Sequence, residues 1–281
     1  MRFALLFLAA SAFGAEYRLT VAGLGGEPDY EQRFAALAAD TAKYGGAQVL
    51  SGTQATREAI KAAIDKVAAQ SRADDTFILT LIGHGTFDGL VYKFNIPGPD
   101  VSADELRAWL EKVQAKQLVV VATSCSGAAS TVLKAPNRAV ITATKSGTEK
   151  NAVVFSRYWV EAMRDASADA DKSDSVSAQE AFNYAKQKTA SFYEMQKRLA
   201  TEHPVMDDSG IGARFTLVRF GAAQRALNDP QKRMMLAHKE ALEAAIDALK
   251  LEKAAMPIAE YKQKLNALLV ELARIQEELD K

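Results

Sequence analysis

The sequence predicts an α/β fold, a mainly parallel sheet covered by helices on both faces, followed by a C-terminal α-helical hairpin. Three observations carry this. Five short apolar runs are continuous instead of alternating, the pattern of strands buried on both faces. Helical patterns separate them, and a β-α-β-α order implies parallel strands joined by crossovers. Beyond residue 222 strands cease, and apolar residues recur at steps of three and four.

In chain order, the opening "MRFALLFLAASAFGAEY" has a basic start, an apolar stretch and then small residues, the pattern of a secretory signal peptide over residues 1–14. Its apolar run is far shorter than the roughly 20 residues a membrane anchor needs. No later segment is apolar enough to span a bilayer, so the expected location is secreted or periplasmic. An α/β domain is expected over 15–222. Its strands are "YRLTVAGL" (17–24), "AQVLSG" (47–52), "TFILTLIG" (76–83), "QLVVVATS" (117–124) and "RAVITATK" (138–145). Helices are expected over 29–43, 56–70 and 103–113, the last with Ser102 as its N-cap. The stretch "DASADADKSDSVS" (165–177) is acidic, serine-rich and poor in large apolar residues, so it reads as a mobile surface loop and a natural place for proteolytic maturation. A helix over 178–200 and a last strand in "ARFTLVRF" follow.

Over 223–281, Ile258, Tyr261, Leu265, Leu268, Leu272, Ile275 and Leu279 form one helical seam. Pro257 breaks the run before it, where Leu242, Ala245, Ile246 and Leu249 supply a facing stripe. A coiled-coil-like hairpin is expected, packed as an appendix or used for self-association.

Composition narrows the function. The 281 residues carry 35 basic and 35 acidic side chains, so nucleic acid is not an expected partner. The single cysteine, Cys125, has nothing to pair with, and an exported protein keeps such a thiol buried or in use. Three scattered histidines and one cysteine make a zinc site improbable, and no metal or organic cofactor is expected. "AGLGGEP" lacks the third glycine of a dinucleotide loop, "KSG" has no Ser-x-x-Lys to accompany it, and the paired aspartates of "DDSG" read as a capped turn.

In parallel sheets reactive groups gather at the carboxyl ends of strands. There "TLIGHG" ends in His84 and "VVVATSCSG" in Cys125, 41 positions apart. A thiol attacks an acyl carbon if it can reach the thiolate, has an acid for the leaving amine, and finds donors for the oxyanion. His84 fits the second need; Gly85, with no Cβ, and Cys125 itself offer amides for the third. Gly83 and Gly127 would leave room beside both groups.

"ILTLIGHG" followed by "LVVVATSCSG" resembles the paired blocks of the clan CD cysteine peptidases, among them caspases, metacaspases, gingipains and legumains. With "VITATKSGTEKN" and "FSRYWVEAM" after it, the chain is most similar to the legumain-type branch, over roughly residues 17–220. The resemblance implies a caspase-like three-layer sandwich and a cysteine endopeptidase acting on peptide or protein substrates. It further implies Cys125 as nucleophile, His84 as general acid/base, and the Gly85 and Cys125 amides as oxyanion hole. Where legumain-like enzymes carry an acidic residue two positions before the nucleophile, this chain has Thr123, which is expected to contact substrate there, so asparagine preference does not carry over. Arg33 falls roughly where the family places a basic specificity residue, and Ser146 where a pocket wall is expected.

Two other readings stay open. "TSCSG" is similar to a strand-to-helix nucleophile elbow, whose histidine would be His203 with Asp207 or Asp208 beside it. A catalytically silent scaffold would use the hairpin and the acidic stretch for interactions.

Overall fold

The computed structural model describes residues 14–208, 211–212 and 215–280, apart from the side chains of 244, 247 and 251. Of the expected signal peptide, residues 1–13 lie outside the described residues. The chain divides into two compact units, one over Ala15–Arg219 and one whose described part is essentially Phe220 onward.

The first unit runs β1 (Glu16–Ala22), α1 (Pro28–Gly45), β2 (Gln48–Leu50), α2 (Arg57–Gln70), β3 (Thr76–Gly83), β4 (Gly85–Phe87), β5 (Tyr92–Phe94) and β6 (Val101–Ser102). It continues through α3 (Ala103–Leu110), β7 (Lys116–Thr123), α4 (Gly127–Leu133), β8 (Arg138–Thr142), α5 (Phe155–Ala162), β9 (Ser175–Ser177), α6 (Ala178–Met195), β10 (Val205–Asp207) and β11 (Thr216–Arg219). Six strands form the main sheet in the order β10-β8-β7-β3-β1-β2, parallel throughout except for β10, which runs antiparallel to β8.

All five expected strands are present, because an apolar run can be continuous only if helices cover both faces. Leu19, Val21, Phe77, Leu79, Leu81, Val119 and Val121 pack with Ile60 and Ile64 of α2, Leu106 and Leu110 of α3, and Ala129 and Leu133 of α4. Intervening residues look the other way: Thr20 receives the Thr41 hydroxyl of α1 at 2.8 Å. Ser102 does cap α3, in a full capping box with Glu105.

Three features differ from the expectation. A small antiparallel sheet, β4-β5-β6, rises directly after β3. The last strand, β11, pairs with β9 and not with the main sheet. The acidic stretch is folded: Ala168, Asp169 and Val176 are buried, backbone amides of residues 170 and 171 donate to the Glu180 carboxylate, and those of 173 and 174 donate to Asp169. Val176 faces inward because β9 pairs with β11, so composition alone misread this segment.

The second unit contains α7 (Gly221–Ala226), α8 (Pro230–Glu252) and α9 (Ile258–Asp280). Leu242, Ile246 and Leu249 of α8, and Tyr261, Ile275 and Leu279 of α9, are buried, whereas Ile258, at the start of the expected seam, is 58% exposed. Among the described residues no helix is long and apolar enough to cross a membrane.

Candidate active site

Strands β3 and β7 are neighbours in the sheet and in register, Gly83 opposite Thr123 being their last pair. His84 is therefore one residue, and Cys125 two residues, past the tips of adjacent parallel strands. This juxtaposition follows from the sheet: equal-length apolar runs paired from Thr76 opposite Lys116 must end together.

At His84 the chain leaves the sheet to enter β4. The half-buried imidazole packs edge-on against Tyr30 and Phe34 of α1, with ring centroids 4.8 and 5.1 Å away. Burial pulls its pKa below the ordinary imidazole range, opposed by a hydrogen bond to the Gly25 carbonyl and by the charge of Glu27. The ring is thus placed by Tyr30 and Phe34 of α1, with the Gly25 carbonyl of the β1–α1 connection beside it, contacts that no side-chain motif announces. Arg33 is exposed on α1 with its guanidinium 5.0 Å from the Tyr30 ring centroid, one ring removed from His84.

Cys125 occupies the turn between β7 and α4 with φ 57, in the left-handed region a non-glycine residue rarely adopts. Strain of this kind persists where the surroundings impose it, commonly at functional positions. The residue is 2% exposed. Burial raises its thiol pKa, partly countered by the charge of Lys150 and the backbone N–H of Phe87. Among the described residues no hydrogen bond joins the sulfur to the imidazole.

The expected oxyanion donors are both engaged. The Cys125 amide donates to the Glu149 carbonyl at 2.8 Å, and the Gly85 amide to the Ser124 hydroxyl at 3.1 Å. Ser124 in turn donates to the Gly85 carbonyl at 2.9 Å, stitching the start of β4 to the β7 turn. A Cβ on Gly85 would lie 2.7 Å from the Ser124 carbonyl, so the glycine admits this backbone approach. Likewise a Cβ on Gly127 would lie 2.2 Å from the Ser146 amide. The space expected beside Gly127 is filled by the chain's own 144–150 loop.

Thr123 is corrected from substrate contact to core residue. It is fully buried, its hydroxyl shares a 2.6 Å hydrogen bond with Tyr92 and donates to the Ser124 carbonyl, and burial holds the Tyr92 phenol well above its usual pKa. Ser146 is half-buried beside the Cys125 turn, with its hydroxyl 2.8 Å from that of Thr148.

His203 is also near this region, but not with its expected partners. Asp207 pairs with Lys134, and Asp208 accepts the Ile211 and Gly212 amides, which makes it the turn cap that "DDSG" predicted. The His203 Nδ1 lies instead 2.5 Å from Glu149, whose carbonyl holds the Cys125 amide. Buried Glu202 anchors this segment by accepting the Val154 and Phe155 amides at 2.7 and 3.1 Å. Glu149 is the residue missed from sequence; its place in "KSGTEKN" carries no signature of its role.

No protein-family model and no curated protein matches the sequence. Among solved structures the chain is similar to protein GSU0716 from Geobacter sulfurreducens, at 14% identity and a TM-score of 0.49, over 74% of this chain and 100% of that one. It is also similar to Raptor from Chaetomium thermophilum, at 9% identity and a TM-score of 0.40, over 87% of this chain and 32% of that one. Overlaps this loose fix neither fold family nor chemistry.

Proposed function

We propose that the chain is an exported cysteine endopeptidase of the caspase and legumain kind. One observation carries the reading: His84 and Cys125 stand just past the tips of adjacent, in-register strands, with Cys125 held in a left-handed turn. The six-stranded order with one antiparallel edge supports the caspase-like sandwich that the sequence resemblance implies. Export rests on the leader pattern of residues 1–14.

In this reading substrate enters once the cover over the sulfur shifts, and the Gly85 and Cys125 amides exchange their present acceptors for the carbonyl oxygen. His84 takes the thiol proton as sulfur bonds to the carbonyl carbon. The imidazolium returns that proton to the departing amine, leaving a thioester that water hydrolyses. Arg33, beside Tyr30, and Ser146, beside Gly127, are the specificity candidates.

The 2.5 Å contact between His203 and Glu149 favours a second reading, in which His203 serves the thiol. The 2% exposure of Cys125 favours a silent scaffold. Profiling a peptide library with wild type, Cys125→Ala, His84→Ala and His203→Ala separates them. The proposal expects turnover that Cys125→Ala and His84→Ala abolish and His203→Ala retains. Loss with His203→Ala alone would identify the elbow-type hydrolase. No turnover, with no labelling of folded wild type by an acyloxymethyl ketone peptide, would identify the scaffold.

A further inference from the structure

The segment "DADKSDSVSAQE", residues 169–180, is unused by the chemistry above. One carboxylate oxygen from each of Asp169, Asp171 and Glu180 falls within 4.8 Å of the others. Three negative charges that close repel unless a cation or proton stands between them. Asp169 sharpens the point, because its side chain is turned into the cluster and the residue is 5% exposed. A buried carboxylate ordinarily has a cationic partner, yet Asp169 faces the Asp171 carboxyl, accepts the backbone amides of Ser173 and Asp174, and forms no ion pair among the described residues. The loop's own cation, Lys172, donates instead to the Asp169 carbonyl at 2.8 Å.

The spacing supplies an independent pointer. Calcium loops of twelve residues take ligands from positions 1, 3, 5, 7, 9 and 12, position 7 through its carbonyl, with an acidic residue last and a sharp turn at position 6. Counted from Asp169, these are Asp171, Ser173, the Ser175 carbonyl, Ser177 and Glu180, and position 6 is Asp174, at φ 64. Ser177 and Glu180 also form the capping box of α6, so the last ligand is fixed on a helix. Serine at position 5 lowers the ligand charge and aspartate replaces the usual glycine at position 6.

We propose that residues 169–180 bind one calcium ion, with Asp169, Asp171 and Glu180 as its charged ligands. Hard oxygen donors without nitrogen or sulfur exclude zinc-type coordination, and a loop contributing many oxygens suits calcium better than magnesium. The site lies in the α5–α6 connection, and the sequence expectation of no metal would be revised by it.

The test uses the full chain, stripped with EDTA and titrated calorimetrically with calcium chloride, beside thermal melts with calcium or magnesium. Wild type should bind one equivalent with a Kd between about 10⁻⁶ and 10⁻³ M, and melt higher with calcium than with magnesium. The double variant Asp171→Asn/Glu180→Gln should lose at least tenfold in affinity. Each protein's calcium shift is read against its own melt in EDTA, because Glu180→Gln also removes an acceptor of the α6 capping box. No heat and no melting shift at about 10 mM calcium, above the weakest such sites, would overturn the proposal. So would equal shifts in wild type and double variant.

Discussion

The thiol of Cys125 and the imidazole of His84 are both pushed toward their neutral forms by burial, the first upward and the second downward. A resting ion pair is therefore not expected, and in the proposed mechanism proton transfer waits for substrate. Since the thiolate is the alkylated species, its fraction at neutral pH is smaller than that of an ordinary thiol. Iodoacetamide labelling of the folded protein should climb with pH through and beyond the ordinary thiol range. A fast plateau between about pH 5 and 7, the mark of a thiolate–imidazolium pair, would contradict this. Lys150→Gln removes a charge that favours the thiolate, so it should move the curve to higher pH; Lys150 is exposed, so the effect should shrink in salt. At this scale the sequence disclosed His84 and Cys125 because an apolar strand ending in a glycine-flanked polar residue is conspicuous. It did not disclose that Thr123 faces the core or that Glu149 ties the Cys125 amide, since neither depends on a local pattern.

Among elements, the turn after β7 is clamped from two sides, by β4 through Ser124 and by the 144–150 loop through Glu149. Gly85 and Gly127 permit both contacts, so an added methyl meets backbone that cannot swing away. Gly85→Ala and Gly127→Ala should each destabilise by about 1–3 kcal/mol, read as a lower midpoint in urea unfolding with an unchanged slope. Unchanged midpoints would show that the clamp gives readily. The central strands and α3 were legible because burial on both faces and a capping box leave strong marks. β4, β5, β9 and β10 were not, being three residues each, too short for a period to show, and, unlike the equally short β2, they have no place in the β-α-β alternation that marked the parallel strands. The acidic stretch shows the converse error: its composition signals disorder, while its spacing of oxygen donors is that of a built loop.

For the whole molecule, the apolar cluster that includes Cys125 is drawn, among the described residues, from Tyr17 to Val140. The helices after Phe220 have their own, made by Ala223, Ala226, Leu236, Leu242, Ile275 and Leu279. A chain ending at Arg219 should therefore still unfold cooperatively and label at Cys125 as the full chain does. The cut must spare Arg219, which pairs with Glu16 at 3.6 Å. A truncated protein without a cooperative transition would show that the first unit depends on the second. The two outermost strands of the main sheet, β2 and β10, are only three residues long. Little unsatisfied backbone is left there for a foreign segment to zip onto, which guards against fibrous stacking of copies. On the proposed reading, an extended polypeptide seeking the sulfur would gain no foothold along those flanks, and would have to be gripped by the connections that crown the sheet.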